Sequence, residues 1–266
     1  MPPRSDWRSL LARIANQPTV LLLLDFDGTL SDIVARPEDA TLRANNAKLL
    51  NVLSRRPGYT VGIISGRDID DVSQRVGLEG LVYAGNHGLE IRGPGLEYRH
   101  PAAAAATPVI AKAADSLAAA LADIPGAQVE NKTLTLTVHY RRTPEELHER
   151  VAAIFREVAG RLVDEGICRV TTAKSALEFR PAVDWHKGDA LEVIRRRLAP
   201  GAFPIYIGDD ATDEDAFRAA QSAGGAGVFV GPPEAPSSAD YGLDDPFQVT
   251  RALRELAAHT GPAVLL

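Results

Sequence analysis

The stretch LLLLDFDGTL, at residues 21–30, decides the fold of this chain. Four consecutive leucines are typical of a strand that is buried on both faces of a parallel sheet. Asp25 and Asp27 follow at once, and side chains two residues apart in an extended segment point the same way. Because ligands bind beyond the carboxyl ends of such strands, the two carboxylates mark a candidate site. A turn with a helix cap is the alternative explanation.

The composition is that of an ordinary globular protein. The chain has 266 residues, 45% of them hydrophobic and 24% charged, and a net charge of −6. A mildly acidic chain without a basic block is not expected to bind nucleic acid or an anionic membrane. With the single cysteine, Cys168, neither an internal disulfide nor a zinc site is expected. The N-terminus lacks the pattern of a signal peptide or membrane span, so we expect a cytoplasmic protein.

Strand and helix patterns alternate on both sides of the leucine run. Buried strands are predicted at 19–26, 60–65, 81–85, 203–210 and 226–231. Helices are predicted between or beside them at 5–16, 41–54, 68–77, 189–198 and 248–259. This alternation predicts an α/β fold with a doubly wound (Rossmann-like) parallel-sheet core.

The middle of the chain has a different character. An alanine-rich helix is predicted after Pro108, and residues 133–141 alternate between threonine and mostly apolar residues, as a half-buried antiparallel strand does. An amphipathic helix and a further strand-like run, at 168–181, follow. We therefore predict an inserted α+β domain at 108–182 within a core that is made of 1–107 and 183–266.

A second predicted strand also ends in acidic residues. The sequence GDDATDEDAF, at 208–217, begins at the end of the strand predicted at 203–210. Acids in a first helical turn suit the helix dipole, which explains the later acids but not Asp209 and Asp210. Carboxylates at two strand ends predict an oxygen-ligand site for a hard cation, with Mg²⁺ preferred.

Two short segments could supply an anion site. ISGR, at 64–67, ends a buried strand, so the Ser65 hydroxyl and the N–H groups of Gly66 and Arg67 could bind a phosphate at a helix N-terminus. Simple helix capping by Ser65 is the alternative. Lys187, in DWHKG, could add a fixed positive charge, although an isolated lysine is more often a solvated surface residue.

Together these motifs resemble a known family. DFDGT, SGR, HKG and GDDATDEDAF resemble the four motifs of the haloacid dehalogenase superfamily, in the right order. With GNHG, ENK, HYR and LEFRP added, the chain is similar to trehalose-6-phosphate phosphatases over roughly residues 20–250. The resemblance implies Mg²⁺-dependent hydrolysis of trehalose 6-phosphate, and it implies that the insert is a mobile α+β cap.

The resemblance also implies roles for the acids. Asp25 would be the nucleophile that forms an aspartyl-phosphate, and Asp27 would be the general acid and then the general base. The Asp25 carboxylate, the Asp27 backbone carbonyl and Asp209 would hold Mg²⁺, and Asp213 would be an outer partner that orients water or Lys187. The phosphoryl oxygens would be bound by the residues of the two anion segments, Ser65, Gly66 and Lys187.

Sugar recognition is implied mainly for the insert. Its charged residues at family positions are Glu130, Lys132, Arg141 and Glu178, with Lys174 as a possible addition and with Arg67 and His87 from the core. An exposed turn with a surface ion pair is the alternative for Glu130 and Lys132. For His87, the alternative to sugar binding is a buried structural role. His139 is expected to pack, and Cys168 to be inert.

Three functions are compatible with these motifs. The first is hydrolysis of trehalose 6-phosphate, the second is the same chemistry on another sugar phosphate, and the third is a non-catalytic sugar-phosphate-binding domain. A nucleophile beside a general acid speaks against the third, because a binding protein has no use for one. In each case the partner is a small molecule, and the sequence carries no signal for an oligomeric state.

Overall fold

The computed structural model describes residues 4–34, 36–173 and 175–259. The helices are α1 (Trp7–Ile14), α2 (Ala44–Ser54), α3 (Ile69–Val76), α4 (Pro101–Ala120), α5 (His148–Asp164), α6 (Lys187–Leu198), α7 (Glu214–Ser222) and α8 (Pro246–Ala258). The strands are β1 (Val20–Leu24), β2 (Tyr59–Ile64), β3 (Val82–Gly85), β4 (Glu90–Gly93), β5 (Leu96–Arg99), β6 (Gln128–Asn131), β7 (Leu136–His139), β8 (Cys168–Ala173), β9 (Ala176–Pro181), β10 (Phe203–Gly208), β11 (Ala226–Val230) and β12 (Tyr241–Leu243). Among the described helices, none is both long and apolar enough to span a membrane.

The larger sheet has eight strands in the order β12-β11-β10-β1-β2-β3-β4-β5. The strands from β12 to β3 run parallel, and β4 pairs antiparallel with β3. Residues of α1, α2, α3 and α8 pack on one face, and residues of α6 and α7 pack on the other. Helices on both faces of a mostly parallel sheet are the doubly wound arrangement, so the predicted fold class is confirmed.

The four leucines of β1 alternate between the two faces of this sheet. Leu22 and Leu24 belong to the hydrophobic cluster on the side of α1 and α8, whereas Leu21 and Leu23 belong to the cluster on the side of α6. All four are fully buried. A strand that contributes to two cores has no solvent-facing position, which explains why its sequence is a continuous apolar run.

The chain divides into two compact units. The first extends to Tyr98 and resumes at Trp185, and the second is Arg99–Asp184, which we call the inserted unit. Its four strands form an antiparallel sheet in the order β6-β7-β9-β8. Its helices α4 and α5 pack on one face of this sheet, where Phe155 and Phe179 meet edge to face.

Two expectations for this unit are wrong. Helix α4 begins at Pro101 and contains Pro108, so the unit begins before the predicted boundary at 107/108. The alanine-rich run before Pro108 has high helix propensity, and a proline at the first helical position suits a helix start. The strand-like run predicted at 168–181 is interrupted by a turn and forms the hairpin β8–β9, with Ser175 at a φ of 57° between the two strands. The assignment of this unit as a cap domain stays a prediction.

Candidate active site

The strand order brings three motif-bearing loops to one edge of the larger sheet. Strand β1 lies between β10 and β2, with Leu24 opposite both Ile207 and Ile63. The residues that follow these parallel strands therefore lie side by side. They include Asp25 after β1, Asp209 after β10 and Ser65 after β2.

The loop after β1 turns sharply against the loop after β10. The carbonyl oxygen of Phe26 accepts the N–H groups of the next turn, and Gly28 adopts a φ of 76°. A Cβ atom at Gly28 would lie 2.1 Å from Asp209 Oδ2, so no other residue fits without displacing that carboxylate. The Thr29 hydroxyl donates to Asp209 Oδ1 at 3.2 Å. The glycine therefore allows the two acidic loops to meet.

Lys187 is buried between two carboxylates. It is the first residue of α6 and is only 2% exposed. Its Nζ lies 3.0 Å from Asp25 Oδ1 and donates to Asp213 Oδ1 at 2.7 Å. Burial lowers the pKa of Lys187, but Asp213 and Asp25 together raise it above its usual value, so the ammonium stays charged. The alternative of a solvated surface lysine is excluded.

The buried carboxylate of Asp213 accepts four hydrogen bonds from groups around the site. Its Oδ1 accepts from Lys187 and, at 2.7 Å, from the hydroxyl of Tyr206. Its Oδ2 accepts the backbone N–H groups of Asp209 and Asp210, at 3.0 and 2.9 Å. Each carboxylate oxygen thus has two donors, which fills its hydrogen-bonding capacity. Asp213 therefore orients its neighbours, and it does so from a fully buried position.

The site contains a carboxylate cluster suited to a divalent cation. Within the described residues, Asp25, Asp209 and Asp213 each place an oxygen within 4.8 Å of the other two. Burial raises the pKa of Asp25 well above its usual range, against the opposing effect of Lys187, and Asp213 and Asp209 add to the rise. A cation would offset this cost, and hard carboxylate oxygens are its preferred ligands. Because donors already fill Asp213, the oxygens for a cation are those of Asp25 and Asp209.

The raised pKa of Asp209 gives a testable pH dependence. Burial and the nearby charge of Asp213 raise the pKa of Asp209 to about 7. Between pH 4 and pH 7, roughly, the folded chain holds a proton there that the unfolded chain has lost, so this group costs stability as the pH rises through that window. We expect Asp209→Asn to raise the Tm in EDTA at pH 8 by about 2–4 °C, the shift that about 1 kcal/mol produces in a chain of this size.

The matched control for this change is Asp32→Asn, at an exposed carboxylate. It should not show the same pH-dependent gain in Tm. The gain of Asp209→Asn should shrink as the pH falls toward 5, because the wild-type carboxyl is then protonated and the two side chains have the same charge. A gain of the same size at pH 5 and pH 8 would contradict the assignment.

Asp27 is held by an arginine. Arg67 donates from Nε to Asp27 Oδ2 at 2.7 Å and from Nη2 to Asp27 Oδ1 at 2.6 Å. Its Nη1 donates to Asp71 Oδ2 at 2.9 Å. The Asp27 side chain is 44% exposed, whereas that of Arg67 is 10% exposed. The structure thus places the Arg67 guanidinium on two acids of its own unit, and a role in substrate binding stays a prediction.

The loop after β2 differs from the expectation in one respect. Helix α3 begins at Ile69, and its N-cap is Asp68, whose side chain accepts the N–H groups of Asp70 and Asp71. Gly66 and Arg67 therefore precede the helix N-terminus at which they were predicted to lie. Ser65 does not cap this helix. Asp68 takes that position because its carboxylate is the stronger acceptor for the helix dipole.

The fully buried Ser65 is tied to the loop that contains His87. The His87 N–H donates to the Ser65 carbonyl oxygen at 2.9 Å, and the Ser65 hydroxyl accepts the Arg67 N–H at 3.2 Å. A Cβ atom at Gly66 would lie 2.7 Å from His87 Cε1, so the imidazole packs directly on that glycine. The structure therefore brings SGR and GNHG together at the edge that also holds Asp25.

Three predicted sugar-binding residues meet on one face of the inserted unit. Lys132 Nζ lies 3.9 Å from Glu130 Oε2 and 3.8 Å from Glu178 Oε1. The Lys132 side chain is only 12% exposed, which is unlike the exposed surface pair that was the alternative. His139, which was expected to pack, instead places Nε2 2.8 Å from Glu130 Oε2. The carboxylate of Glu130 and the imidazole of His139 meet because both side chains lie on the polar face of the sheet.

Three further residues of this unit were singled out from the sequence. Arg141 is exposed in the turn after β7. Lys174 lies outside the described residues. Cys168 is buried, and burial raises the pKa of its thiol to about 11, so little thiolate forms at neutral pH and the thiol is inert as expected.

Sequence reasoning missed the hydroxyl groups that support the acids. Tyr206 and Thr29 both donate to carboxylates of the site. A weak signal existed for Tyr206, because it is the one residue with a polar tip within the otherwise apolar FPIYIG strand. Thr29 carried no such signal, since threonine is common in turns of the DGT kind.

Comparison with known proteins identifies the family. The family model described as trehalose-phosphatase matches residues 23–246. A trehalose-phosphate phosphatase of Mycobacterium marinum is 41% identical over 208 residues, which cover 76% of this chain and 52% of that protein. The structure of the trehalose-6-phosphate phosphatase C-terminal domain of Candida albicans superposes with a TM-score of 0.79 and 26% identity, covering 97% of this chain and 98% of that one.

A further relative is much longer than this chain. A protein of Mycobacterium tuberculosis named an uncharacterized glycosyl hydrolase is 42% identical over 266 residues, which cover 96% of this chain but 20% of that protein. The chain thus spans from a fifth to about half of the length of these two curated relatives. The family model matches most of the chain, and the residues of the SGR, DFDGT and GDDATDEDAF motifs lie at one edge of the larger sheet. The chain therefore belongs to the trehalose-phosphatase family.

Proposed function

We propose that this chain is a Mg²⁺-dependent phosphatase that hydrolyses trehalose 6-phosphate to trehalose and phosphate. The observation that carries the proposal is the buried ammonium of Lys187 between the carboxylates of Asp25 and Asp213. A fixed charge at this depth beside an acid that ends a parallel strand suits phosphoryl transfer. Membership of the trehalose-phosphatase family and the names of the relatives support the choice of sugar.

The proposed chemistry has two steps. In the first, an Asp25 oxygen attacks phosphorus, and the bond from phosphorus to the sugar oxygen breaks as that oxygen takes a proton from Asp27. In the second, Asp27 takes a proton from water as the water oxygen attacks the aspartyl-phosphate, which releases phosphate and restores the Asp25 carboxylate. Ser65, the Gly66 N–H and Lys187 would bind the phosphoryl oxygens in both steps.

The proposed ligands of Mg²⁺ are the carboxylates of Asp25 and Asp209 and the backbone carbonyl of Asp27. The donor set fits, because these are hard oxygen ligands, and burial together with the repulsion between neighbouring carboxylates raises the pKa values of Asp25 and Asp209. When bound, Mg²⁺ screens the repulsion between Asp25 and the phosphate dianion and stabilises charge on the transferring group. Asp213 would act by orienting Lys187 and the N–H groups of the Asp209 loop.

The inserted unit is proposed to be a cap that selects the sugar. The residues offered for this role are Glu130, Lys132, Arg141 and Glu178, with His87 and Arg67 from the first unit. Lys132 beside two carboxylates supports the idea, because charged groups that point to one spot bind sugar hydroxyls well. We also propose that the enzyme works in the cytoplasm, for which the support is a phosphorylated substrate and a single unpaired cysteine.

A substrate panel tests the proposal. The purified chain is assayed for phosphate release with Mg²⁺ against trehalose 6-phosphate, glucose 6-phosphate, sucrose 6-phosphate and p-nitrophenyl phosphate. We expect trehalose 6-phosphate to have the highest kcat/KM, because sugar contacts remote from phosphorus contribute binding energy to the reaction. Release that is faster on another sugar phosphate would overturn the choice of substrate. No release from any of them would overturn the activity.

The role of Asp27 gives a further prediction. Asp27→Asn cannot donate a proton to a sugar oxygen, so we expect turnover of trehalose 6-phosphate to fall by about 10²–10⁴-fold. With p-nitrophenyl phosphate, formation of the aspartyl-phosphate needs no acid, whereas its hydrolysis still needs a base. We therefore expect a burst of one p-nitrophenolate per active site and then slow turnover. Stopped-flow absorbance measures both phases.

The control for the burst is Asp70→Asn. Asp70 lies in the first turn of α3, shortly after the SGR segment, but its side chain is exposed and pairs with Arg92. We expect this variant to keep wild-type turnover without a burst. Steady turnover of p-nitrophenyl phosphate by Asp27→Asn at the wild-type rate would contradict the second role of Asp27, and so would the loss of any burst together with the loss of turnover.

A further inference from the structure

Two arginines face each other on the sheet of the inserted unit. Arg169 of β8 and Arg180 of β9 are directly paired in the antiparallel register. Directly opposed residues of such a pair lie on the same face, and like charges in these positions are destabilising. Phe179, next to Arg180, points to the other face and belongs to the hydrophobic core. Both guanidinium groups therefore stand on the polar face.

One donor atom of each of these arginines lacks an acceptor. Within the described part of the chain, Nε of Arg169 and Nε of Arg180 are both buried and make no hydrogen bond. Arg180 is 8% exposed as a whole. The Glu178 carboxylate lies on the same face, but its Oε2 is 3.9 Å from Arg180 Nε, which is beyond hydrogen-bond distance. The carboxylate thus offsets part of the charge of Arg180 but leaves both Nε–H donors unsatisfied, and a buried donor without an acceptor is costly.

Two further observations point to the same face. Burial lowers the pKa of the Arg180 guanidinium; the carboxylate of Glu178 raises it, and the charge of Arg169 lowers it again, so the two arginines are close enough to repel. The hydroxyl of Thr137 is also buried without a hydrogen-bond partner, and Thr137 lies opposite Glu178 in the adjacent strand. Three buried polar groups without partners thus gather on one face of one sheet.

We propose that Arg169 and Arg180 form a binding site for a phosphate-class oxyanion on the polar face of the inserted unit. Guanidinium groups bind such oxyanions through pairs of parallel N–H donors, and one anion has enough oxygens to serve two of them. The anion supplies the missing acceptors and offsets the repulsion between the two charges. Arg169 is only partly covered, so the anion can approach from its side.

The residues of this oxyanion site differ from those of the site at Asp25. All of its residues belong to the inserted unit, and none of them has a step in the proposed hydrolysis. The inference therefore does not depend on the proposed function. Inorganic phosphate and a phosphate monoester share the required chemistry, and the test has an arm for each.

The test follows the arginine Nε–H signals by NMR. The full chain is labelled with ¹⁵N-arginine, and the signals of Arg169 and Arg180 are assigned from the variants Arg169→Lys and Arg180→Lys. Inorganic phosphate, methyl phosphate and chloride are titrated separately at matched ionic strength. We expect the two Nε–H signals to shift together and to saturate along one isotherm with phosphate. Methyl phosphate should do the same if the site accepts esters and should have little effect if it is specific for the free ion.

Variants then test the pair. Arg169→Gln removes one of two charged donors, so we expect phosphate binding at Arg180 to weaken by at least about tenfold. Arg161→Gln, at an exposed arginine of the same unit, should leave it unchanged. The proposal is overturned if neither Nε–H signal of the wild type responds more to phosphate than to chloride. An Arg169→Gln variant that binds phosphate with unchanged affinity would overturn the pairing.

Discussion

The variant Asp25→Asn is expected to lose phosphate release by at least about 10⁴-fold, the scale seen when a nucleophile is removed. The amide has the same shape as the carboxylate but cannot attack phosphorus. The side chain is almost fully buried at the end of β1, and its Oδ1 lies 3.0 Å from Lys187 Nζ, so the amide is expected to occupy the same place without supplying a nucleophile. The measurement is phosphate release with trehalose 6-phosphate and with p-nitrophenyl phosphate under the same conditions.

Two comparisons make the Asp25 result decisive. Asp25→Glu keeps the charge but moves the oxygens by a methylene group, and a displacement of this kind in a reacting group costs about 10²-fold. We therefore expect it to be severely impaired although its charge is intact. Asp32→Asn changes an exposed carboxylate a few residues away and should keep full activity. An Asp25→Asn variant with more than a few per cent of wild-type activity would contradict the assignment of Asp25 as the nucleophile.

The core of the fold was predictable because the sequences of its strands are continuously apolar, which indicates that the strands are buried. In β1 every position faces one of two hydrophobic clusters, so a run of leucines could only be an interior strand. The motif residues then followed from topology, since the ends of β1, β2 and β10 must meet at one edge. The family resemblance added the roles of these residues, which topology alone does not supply.

The elements that were missed have weak local signals. Strand β12 has only three residues and is held by pairing with β11, a contact from elsewhere in the chain. The β8–β9 turn contains no glycine, proline or asparagine, yet Ser175 adopts a left-handed φ. Pro108 was taken for a helix start because an interior proline is unfavourable, but the surrounding alanine run and the packing of α4 outweigh that cost.

The contacts within the site were beyond sequence reasoning for a different reason. They join residues that are far apart along the chain, such as Thr29 with Asp209 and Arg67 with Asp27. Motif spacing can bring such residues to the same edge of a sheet, but it does not say which donor meets which acceptor. The pairing of Arg67 with Asp27 is the clearest case, because the sequence suggested that Arg67 binds substrate, whereas in the structure Arg67 donates to Asp27, the proposed general acid.

The largest effect on stability is expected from Lys187. Lys187→Met preserves most of the side-chain volume but removes the cation that contacts both buried acids, Asp25 and Asp213. Removing one partner of a buried ion pair leaves an uncompensated charge and costs about 3–5 kcal/mol. We expect a loss of that size in the free energy of unfolding from urea titrations in EDTA, with an unchanged m-value. Activity should be lost as well, because the same ammonium is proposed to bind the phosphoryl group.

A second substitution separates charge compensation from packing. Adding Asp213→Asn to Lys187→Met removes the carboxylate that the first change leaves unpaired, so the double variant should lose less stability than the sum of the two single variants. If the loss came only from packing, the two effects would add. Lys48→Met, at an exposed lysine of α2, is the matched control and should stay within about 0.5 kcal/mol of wild type. A Lys187→Met variant as stable as this control would show that the buried ammonium is not needed to hold the acidic loops together.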